Sequence, residues 1–225
     1  MSLIGELKKV LGDQNVLTGA DKDRYSSDWL GQYIFEPLCV VRPGSTEEVS
    51  KIVKLARTFQ SKIVPVGGNT GLNGGTHSDD AISISMERMN KIHEIRLNSK
   101  IAIVEAGVIL TSLHQVANEN DLIFPLTFGA RGSATIGGVL STNAGGSNVL
   151  KYGNTRDLVL GVEIVLPSGE IMNLMSELHK DNSGYCLRDL IVGAEGTLGI
   201  ITQAVLKLFP KPKAYATAMI AVKSL

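Results

Sequence analysis

The sequence predicts an α+β fold, because segments with strand patterns alternate with segments that have helical spacing. A strand, a helix and a second strand follow one another between residues 37 and 66. A β-hairpin is expected over residues 159–174, with its turn at Pro167-Ser-Gly169. A last apolar strand is expected at residues 200–209. The 225 residues are enough for one large domain or for two smaller lobes.

The first 36 residues are expected to form a short helix, up to about Gly12, followed by an irregular leader. The leader contains Trp29, the only tryptophan, for which we expect packing in the core. After a strand at residues 37–41, Ser45 and Glu48 have the spacing of a capping box and predict the start of a helix. The apolar face of that helix consists of Val49, Ile52, Val53, Ala56 and Phe59.

A second helix is predicted by Leu110, Leu113 and Ala117, which share one face. Thr111 is its candidate N-cap. A short helix is expected near residues 187–192. Three further strands are expected, at residues 62–66, 81–85 and 101–106.

Residues 131–146 are almost uncharged and rich in glycine and in short hydroxyl or amide side chains. The glycines carry no Cβ that would keep a ligand away from the backbone. Successive backbone N–H groups can bind an anion without a lysine, so we expect this stretch to contact a diphosphate. The alternative is a long flexible loop, and the apolar residues of the stretch argue against it: Ile136, Val139, Leu140 and Ala144.

Residues 65–76 have the same composition and follow the strand expected at residues 62–66. The sequence contains no Gly-x-Gly pair, which excludes the Rossmann fingerprint. No glycine is followed by lysine, which excludes the Walker A loop. We therefore expect the two glycine-rich stretches to hold a diphosphate-containing ligand in another architecture.

The charge of the chain is balanced, with 22 Lys and Arg against 22 Asp and Glu, so no basic field for nucleic acid exists. The two cysteines, Cys39 and Cys186, form no paired framework, and we expect both to be reduced and buried. The N-terminal stretch is amphipathic and charged at Glu6, unlike a signal peptide or a membrane span. We expect a soluble, cytoplasmic protein without a transmembrane segment.

The sequence contains few candidates for catalysis, and we expect no catalytic residue and no metal ligand. The four histidines show no metal-ligand spacing. Glu163 is expected to be an outward-facing strand residue, whereas Glu195, between two glycines, has a capping or a ribose-binding role. Three cations have either a diphosphate-balancing role or a surface role: Arg131, Lys151 and Arg156.

Several ordered motifs resemble the FAD-binding (PCMH-type) half of the vanillyl-alcohol-oxidase superfamily of FAD-linked oxidases. The motifs are Pro65-x-Gly-Gly-Asn-Thr-Gly-Leu, Gly132-Ser-x-x-Ile-Gly-Gly, Thr142-Asn-Ala-Gly-Gly, Tyr152-Gly and Gly193-x-Glu-Gly-Thr-Leu-Gly-Ile-Ile-Thr. The chain is most similar to the FAD-linked D-2-hydroxyacid dehydrogenases, in particular to the D-2-hydroxyglutarate dehydrogenase branch. Asp28-Trp-Leu, Gly68-Asn-Thr-Gly and Lys180-Asp-Asn-Ser-Gly-Tyr carry that similarity, while Cys186 replaces a common acidic residue. D-lactate dehydrogenases and the glycolate oxidase flavin subunit are near neighbours.

The resemblance implies two α+β lobes, residues 37–97 and 98–213, with FAD between them and residues 1–36 as the N-terminal helix and leader. Members that attach flavin covalently often have a histidine where this chain has Asn69, so noncovalent FAD is implied. The implied FAD contacts from the first loop are Val66, Gly67, Gly68, Asn69, Thr70, Gly71, Leu72, Gly75 and Thr76. The remaining implied contacts are Leu126, Gly132, Ser133, Gly137, Gly138, Asn143, Gly145, Glu195, Gly196, Gly199, Ile200 and Ile201.

The resemblance also implies hydride transfer from a 2-hydroxy acid to the flavin. Family members continue into a substrate (cap) domain, of which residues 214–225 resemble the first strand, so we expect a shortened chain that is inactive alone. The alternative is a non-catalytic flavin-binding module that works with a partner subunit. A homodimer or an electron-acceptor partner is also possible for the family.

Overall fold

A computed structural model describes residues 2–224, and its first sheet contains four strands in the order β1-β2-β4-β3. Strands β2, β4 and β3 are parallel, and β1 from the leader adds to them in the antiparallel direction. The predicted strand–helix–strand unit is therefore confirmed, with β4 inserted between its two strands. The bounds are β1 Val16–Leu17, β2 Cys39–Val41, β3 Lys62–Val66 and β4 Ala81–Ser85.

The second sheet is antiparallel and contains five strands in the order β5-β6-β10-β8-β9. The predicted hairpin is confirmed as the β8–β9 pair. The short pair β7–β11 stands apart from both sheets. The bounds are β5 Ile92–Arg96, β6 Ile101–Glu105, β7 Leu122–Ile123, β8 Val159–Val165, β9 Ile171–Leu174, β10 Ile200–Lys207 and β11 Phe209–Pro210.

Six α-helices connect these strands in the described part of the chain. Ser45 is confirmed as the N-cap of α2, since the Glu48 amide donates to Ser45 Oγ at 3.2 Å. Glu48 differs from a capping box, because its Oε2 accepts from the Gly44 amide at 2.7 Å and not from the Ser45 amide. The capping prediction for Thr111 is wrong, because its hydroxyl donates to the Arg131 carbonyl at 2.9 Å. The bounds are α1 Leu3–Leu11, α2 Thr46–Thr58, α3 Leu110–Glu119, α4 Ile136–Ser141, α5 Val149–Tyr152 and α6 Leu187–Ile191.

Two expectations about burial are wrong. Trp29 is 57% exposed, because it lies at the tip of a tight turn that the buried Asp28 closes by accepting from the Tyr33 amide at 2.9 Å. Cys186 is exposed, whereas Cys39 in β2 is buried as expected. The strand expected at the C-terminal end is not formed over residues 214–224, and Leu225 lies outside the described residues.

The two sheets do not divide the chain at residue 97, where the expected lobe boundary falls. Strand β5 precedes that position but pairs with β6 in the second sheet, and β1 from the leader joins the first sheet. One buried core runs through both sheets. Glu163 of β8 joins α2 to the second sheet, because its Oε1 accepts from the Thr46 hydroxyl of α2 at 2.6 Å and from the Thr202 hydroxyl of β10 at 2.9 Å. The Glu163 side chain is half-buried and its carboxylate accepts hydrogen bonds from α2 and β10, whereas an outward-facing, solvent-exposed residue was expected.

Candidate functional site

A cavity of about 510 Å³ lies where the two glycine-rich stretches meet. Its volume is within the range of small-molecule and cofactor sites. One wall is the loop that follows β3, and the other combines α4 with the start of β10. The lining residues are Pro65, Val66, Gly67, Gly68, Asn69, Thr70, Gly71, Leu72, Asn73, Gly75, Thr76, Met86, Phe128, Ala134, Thr135, Gly137, Gly138, Val139, Ser141, Thr142, Ala144, Glu195, Gly196, Gly199, Ile200 and Ile201.

The backbone N–H groups of the loop of residues 67–76 are available to a ligand. Within residues 2–224, none of its backbone N–H groups donates to a protein acceptor. Backbone donors at a protein surface or in a cleft need water or a ligand as partner. Because these N–H groups come from successive residues beside the cavity, the loop fits the expected anion-binding role.

The second glycine-rich stretch differs from expectation, because part of it folds into α4 and uses its own donors. The amides of Ile136 and Gly137 donate to the carbonyls of Val108 and Ala106 at 2.9 and 2.7 Å. Thr135 is the N-cap of the helix, and its hydroxyl accepts from the Gly138 amide at 3.4 Å. Consequently α4 gives the cavity a small-residue surface and not a row of free amides.

The glycines of the cavity fall into two groups when a Cβ is placed on each. At Gly67 and Gly68 a Cβ would strike Thr135 Oγ1 and the Ser133 carbonyl, so these positions allow the two stretches to touch. At Gly138 the nearest atom outside its own helix backbone is Thr135 Oγ1 at 3.3 Å, and Gly71 has only Asn73 Oδ1 at 3.6 Å. Positions of the second group leave space beside the backbone, as a bound ligand requires.

The structure brings most of the expected contact residues to the cavity, including all those of the first loop. Five do not line it: Leu126, Gly132, Ser133, Asn143 and Gly145. Asn143 is engaged elsewhere, because its Oδ1 accepts from the Arg156 amide at 2.9 Å. Contact of these five residues with FAD stays a prediction.

Sequence reasoning missed several residues that line the cavity. Pro65 opens the stretch of residues 65–76 but was not among the implied contacts. Met86 comes from a connection without glycine, and Phe128 lies just before the stretch of residues 131–146. Small residues of the central stretch were visible in its composition but not assigned to the site. They are Ala134, Thr135, Val139, Ser141, Thr142 and Ala144. Asn73 completes the set on the first loop.

Glu195 is the only ionisable side chain among the described residues that line the cavity. Its backbone has φ +52° and its amide donates to the Ser141 carbonyl at 2.9 Å. Its Oε2 lies 3.9 Å from the position of a Cβ on Gly75, so the carboxylate faces the first loop across the cavity. The three candidate cations Arg131, Lys151 and Arg156 lie outside the lining, and the Arg156 guanidinium donates to the Val192 carbonyl at 2.6 Å.

His114 of α3 supports the segment that leads into the central stretch. Its Nε2 lies 2.8 Å from the carbonyl oxygen of Leu126, whose side chain is buried. Burial lowers the pKa of His114 below its usual 6.5, the Leu126 carbonyl opposes that change, and the positive charge of Arg131 adds to it. The neutral imidazole is therefore the favoured form in the folded chain.

The fold and the site define a class of protein: one mixed and one antiparallel sheet hold a cofactor-sized cavity between a loop with free amides and a small-residue helix. The comparisons agree with this assignment. The model of the FAD binding domain family matches residues 37–175, and the chain belongs to that family. FAD is its cofactor. No helix within residues 2–224 is long and apolar enough to span a membrane.

The similar proteins are oxidoreductases and a synthase of greater length. The chain is 41% identical to a D-2-hydroxyglutarate dehydrogenase of Xanthomonas citri pv. viticola, over 91% of the chain and 44% of that protein. It is 39% identical to a D-2-hydroxyglutarate–pyruvate transhydrogenase of Saccharomyces cerevisiae, over 92% of the chain and 42% of that protein. A solved alkyldihydroxyacetonephosphate synthase superposes with a TM-score of 0.84 at 26% identity, over 94% of the chain and 41% of that structure. The chain thus spans less than half the length of these proteins and resembles the FAD-binding domain of D-2-hydroxyglutarate dehydrogenases.

Proposed function

We propose that this chain is the cofactor-binding part of an FAD-dependent dehydrogenase that oxidises a D-2-hydroxy acid, with D-2-hydroxyglutarate as the first candidate. The observation that carries the proposal is the cavity between the loop of residues 67–76 and α4, with its unpartnered amides. The 41% identity to a D-2-hydroxyglutarate dehydrogenase supports the substrate class. Bound FAD would supply the two-electron oxidant of the reaction.

The residues of this chain bind and orient the cofactor in the proposed function. The amides of residues 67–76 would hold the diphosphate, and Gly138 and Val139 of α4, which line the cavity, would border the bound molecule. Glu195 is placed to accept hydrogen bonds from ribose hydroxyls, as its position opposite Gly75 supports. Cofactor binding is noncovalent in this proposal, because the side chain of Asn69 is an amide with both ends already hydrogen-bonded.

A smaller cavity of about 280 Å³ supports a place for the adenosine half of FAD. It adjoins the main cavity, since Pro65, Gly196, Gly199 and Ile200 line both. Gly196 permits the two cavities to meet, because a Cβ there would lie 2.7 Å from Pro65 Cγ. The remaining lining is mostly apolar with a polar rim, which suits a purine ring: Val53, Ala56, Arg57, Gln60, Ser61, Ile63, Val165, Leu166 and Pro167.

The first experiment measures cofactor binding by the chain itself. Titration with FAD in a calorimeter is expected to show one site, and ADP is expected to compete because it carries the diphosphate and the adenosine. Riboflavin, which lacks both, is expected to bind far more weakly. Absence of FAD binding would refute the proposed function.

The second experiment tests the substrate class in the gene product that contains this chain. Anaerobic addition of D-2-hydroxyglutarate is expected to bleach its flavin, whereas the L isomer is not. The control is the chain of residues 1–225 loaded with FAD, which is expected to keep its colour. Glu195 is the one ionisable group in the described cavity lining and is assigned to the ribose, so this lining offers no further group to accept the hydroxyl proton of the substrate. If D-2-hydroxyglutarate, D-lactate and glycolate all leave the flavin of the gene product oxidised, the dehydrogenase assignment is wrong.

A further inference from the structure

A second cavity, of about 670 Å³, lies between the segment of residues 173–188 and the second sheet. It shares no lining residue with the FAD cavity. Apart from that segment, only Leu160 of β8 and Lys207 of β10 line it. The cavity is therefore a separate feature of the fold.

The segment that covers this cavity is fastened to the sheet at several points. Its first residues lie directly on β8, because a Cβ on Gly161 would be 2.8 Å from the Cα of Met175. The His179 ring nitrogen Nε2 lies 2.7 Å from the Ser99 carbonyl oxygen, and Arg188 Nη1 donates to the Leu160 carbonyl at 3.0 Å. These contacts fix the segment of residues 173–188 at several points along its length, with the cavity between it and the second sheet.

Two cationic side chains that line the cavity, Arg188 and Lys207, have N–H groups whose acceptors are weak or few. The Arg188 guanidinium pairs with Asp189 through Nε at 3.0 Å, but the one hydrogen-bond acceptor of its Nη2 among the described residues is the sulfur of Cys186 at 3.2 Å. Lys207 donates to the backbone carbonyl of Asp157 at 2.6 Å, and within residues 2–224 no carboxylate lies within 4.0 Å of its ammonium. A sulfur atom is a weak acceptor, and an ammonium has three protons to donate.

The surroundings act against the charge of Lys207. Desolvation and the neighbouring Arg188 lower the pKa of Lys207, while the charges of Asp157 and Asp189 oppose that change. The Asp157 carboxylate already accepts from the Asn154 amide at 3.0 Å, and Asp189 is paired with Arg188. An anion beside the ammonium would supply the counter-charge that the described residues do not place in contact with it.

The remaining charges of the lining leave this conclusion in place. Lys180 adds a third cation, and the one carboxylate of the lining belongs to Asp181. The Asp181 carboxylate accepts from the Ser183 amide at 3.0 Å and from its hydroxyl. These bonds lower the pKa of Asp181 and the charge of Arg188 adds to that change, but within residues 2–224 the two groups form no ion pair within 4.0 Å. Neutral donors surround these groups: Asn173, Ser176, Asn182, Ser183 and Tyr185.

We propose that this cavity binds a small anion through a phosphate or carboxylate group, with Lys207 and Arg188 as its cationic contacts. The neutral donors of the lining would select among anions by shape. This site is independent of the FAD cavity and of the proposed dehydrogenase function.

The chain contains its own reporter for the test. Cys186 is exposed in the lining, whereas Cys39 is fully buried, so a soluble disulfide reagent reports on Cys186 alone. Inorganic phosphate and succinate are added separately at constant ionic strength, which keeps general screening unchanged. An anion at Arg188 covers the thiol and reduces the positive charge beside it, so labelling is expected to slow by about threefold or more.

Variants connect the protection to the proposed contacts. Lys207→Gln is expected to abolish the protection, and the control Lys213→Gln, which removes an exposed charge outside the cavity, is expected to keep it. Retained FAD binding shows that the Lys207→Gln chain is folded. Stronger protection by phosphate assigns a phosphate ligand, and stronger protection by succinate assigns a carboxylate ligand. Equal labelling rates with and without both anions, or full protection in Lys207→Gln, would overturn the proposal.

Discussion

The Thr76 hydroxyl donates to Asn69 Oδ1 at 2.7 Å and thereby ties the end of the first glycine loop to its beginning. Asn69 has φ +50°, and its Nδ2 donates to the Ser27 carbonyl of the leader at 2.7 Å. The Asn69 side chain therefore fixes three pieces of backbone around the free amides. These side-chain hydrogen bonds position the loop and involve none of its backbone N–H groups.

Removing this hydrogen bond is expected to weaken FAD binding without unfolding the chain. Thr76→Val keeps the shape of the side chain but removes the donor. Without this hydrogen bond the ordered loop is about 1 kcal/mol less stable than in the parent, so the affinity for FAD should fall roughly fivefold. Thr76→Ser, which keeps the hydroxyl, is the matched control. Calorimetric titration with FAD measures the difference, and equal dissociation constants for the two variants would show that the bond has no positioning role.

A side chain at position 138 is expected to exclude the cofactor. Gly138→Val places a branched side chain at a backbone that borders the cavity, and the FAD affinity should fall by at least about tenfold, ~1.4 kcal/mol. Gly129→Ala is the control, because among the described residues no atom beyond its chain neighbours lies within 4 Å of a Cβ there, and Gly129 is neither in the lining nor an expected FAD contact. Unaltered affinity of Gly138→Val would contradict the position of the cofactor proposed for this wall.

Acid is expected to destabilise the chain through His114. Because the folded state lowers the pKa of His114, the unfolded state binds this proton at higher pH. The contribution of the neutral His114 to the free energy of unfolding is therefore fully present above about pH 6.5. It decreases as the pH falls from there towards the lower pKa of the folded state. Urea unfolding between about pH 7.5 and 5 measures this slope, which should be smaller in His114→Gln. Parallel slopes for the two proteins would show that another group causes the pH dependence.

The Glu163 carboxylate is expected to stabilise the junction of α2 with the second sheet. Glu163→Leu leaves the Thr46 hydroxyl and the Gln203 amide without their acceptor and the Thr202 hydroxyl with only the backbone carbonyl of residue 163 at 3.3 Å, which lowers the free energy of unfolding by about 2–3 kcal/mol. Glu163→Gln keeps an acceptor oxygen and should lose less. Urea midpoints at constant slope measure both changes. A Glu163→Leu chain as stable as the parent would assign no structural role to these bonds.

The periodic part of the fold could be predicted from sequence, and the irregular part could not. The apolar face of α2 and the Ser45 cap are local signals, and both are confirmed. Strand β5 was missed because its sequence, Ile92-His-Glu-Ile-Arg, offers only two apolar residues to its sheet. Trp29 was misplaced because its exposure depends on a turn that no periodicity encodes.

The site shows the same division between local and long-range information. Glycine content indicated both walls of the cavity, and the structure brings them together. The helix in the second wall had a signal, since Ile136, Val139 and Leu140 have helical spacing, but the glycines concealed it. The use of its amides could not be predicted, because their acceptors belong to residues 106–108, which the chain brings there from another strand end.

The contact of Gly68 with the Ser133 carbonyl has a consequence for the spacing of the two walls. A Cβ on Gly68 would lie 2.0 Å from that carbonyl oxygen, so the walls touch here through their backbones. Any larger residue at position 68 would have to push the central stretch away from the first loop. The separation of the two walls is therefore fixed by backbone packing at this point, independently of the side chains that line the cavity.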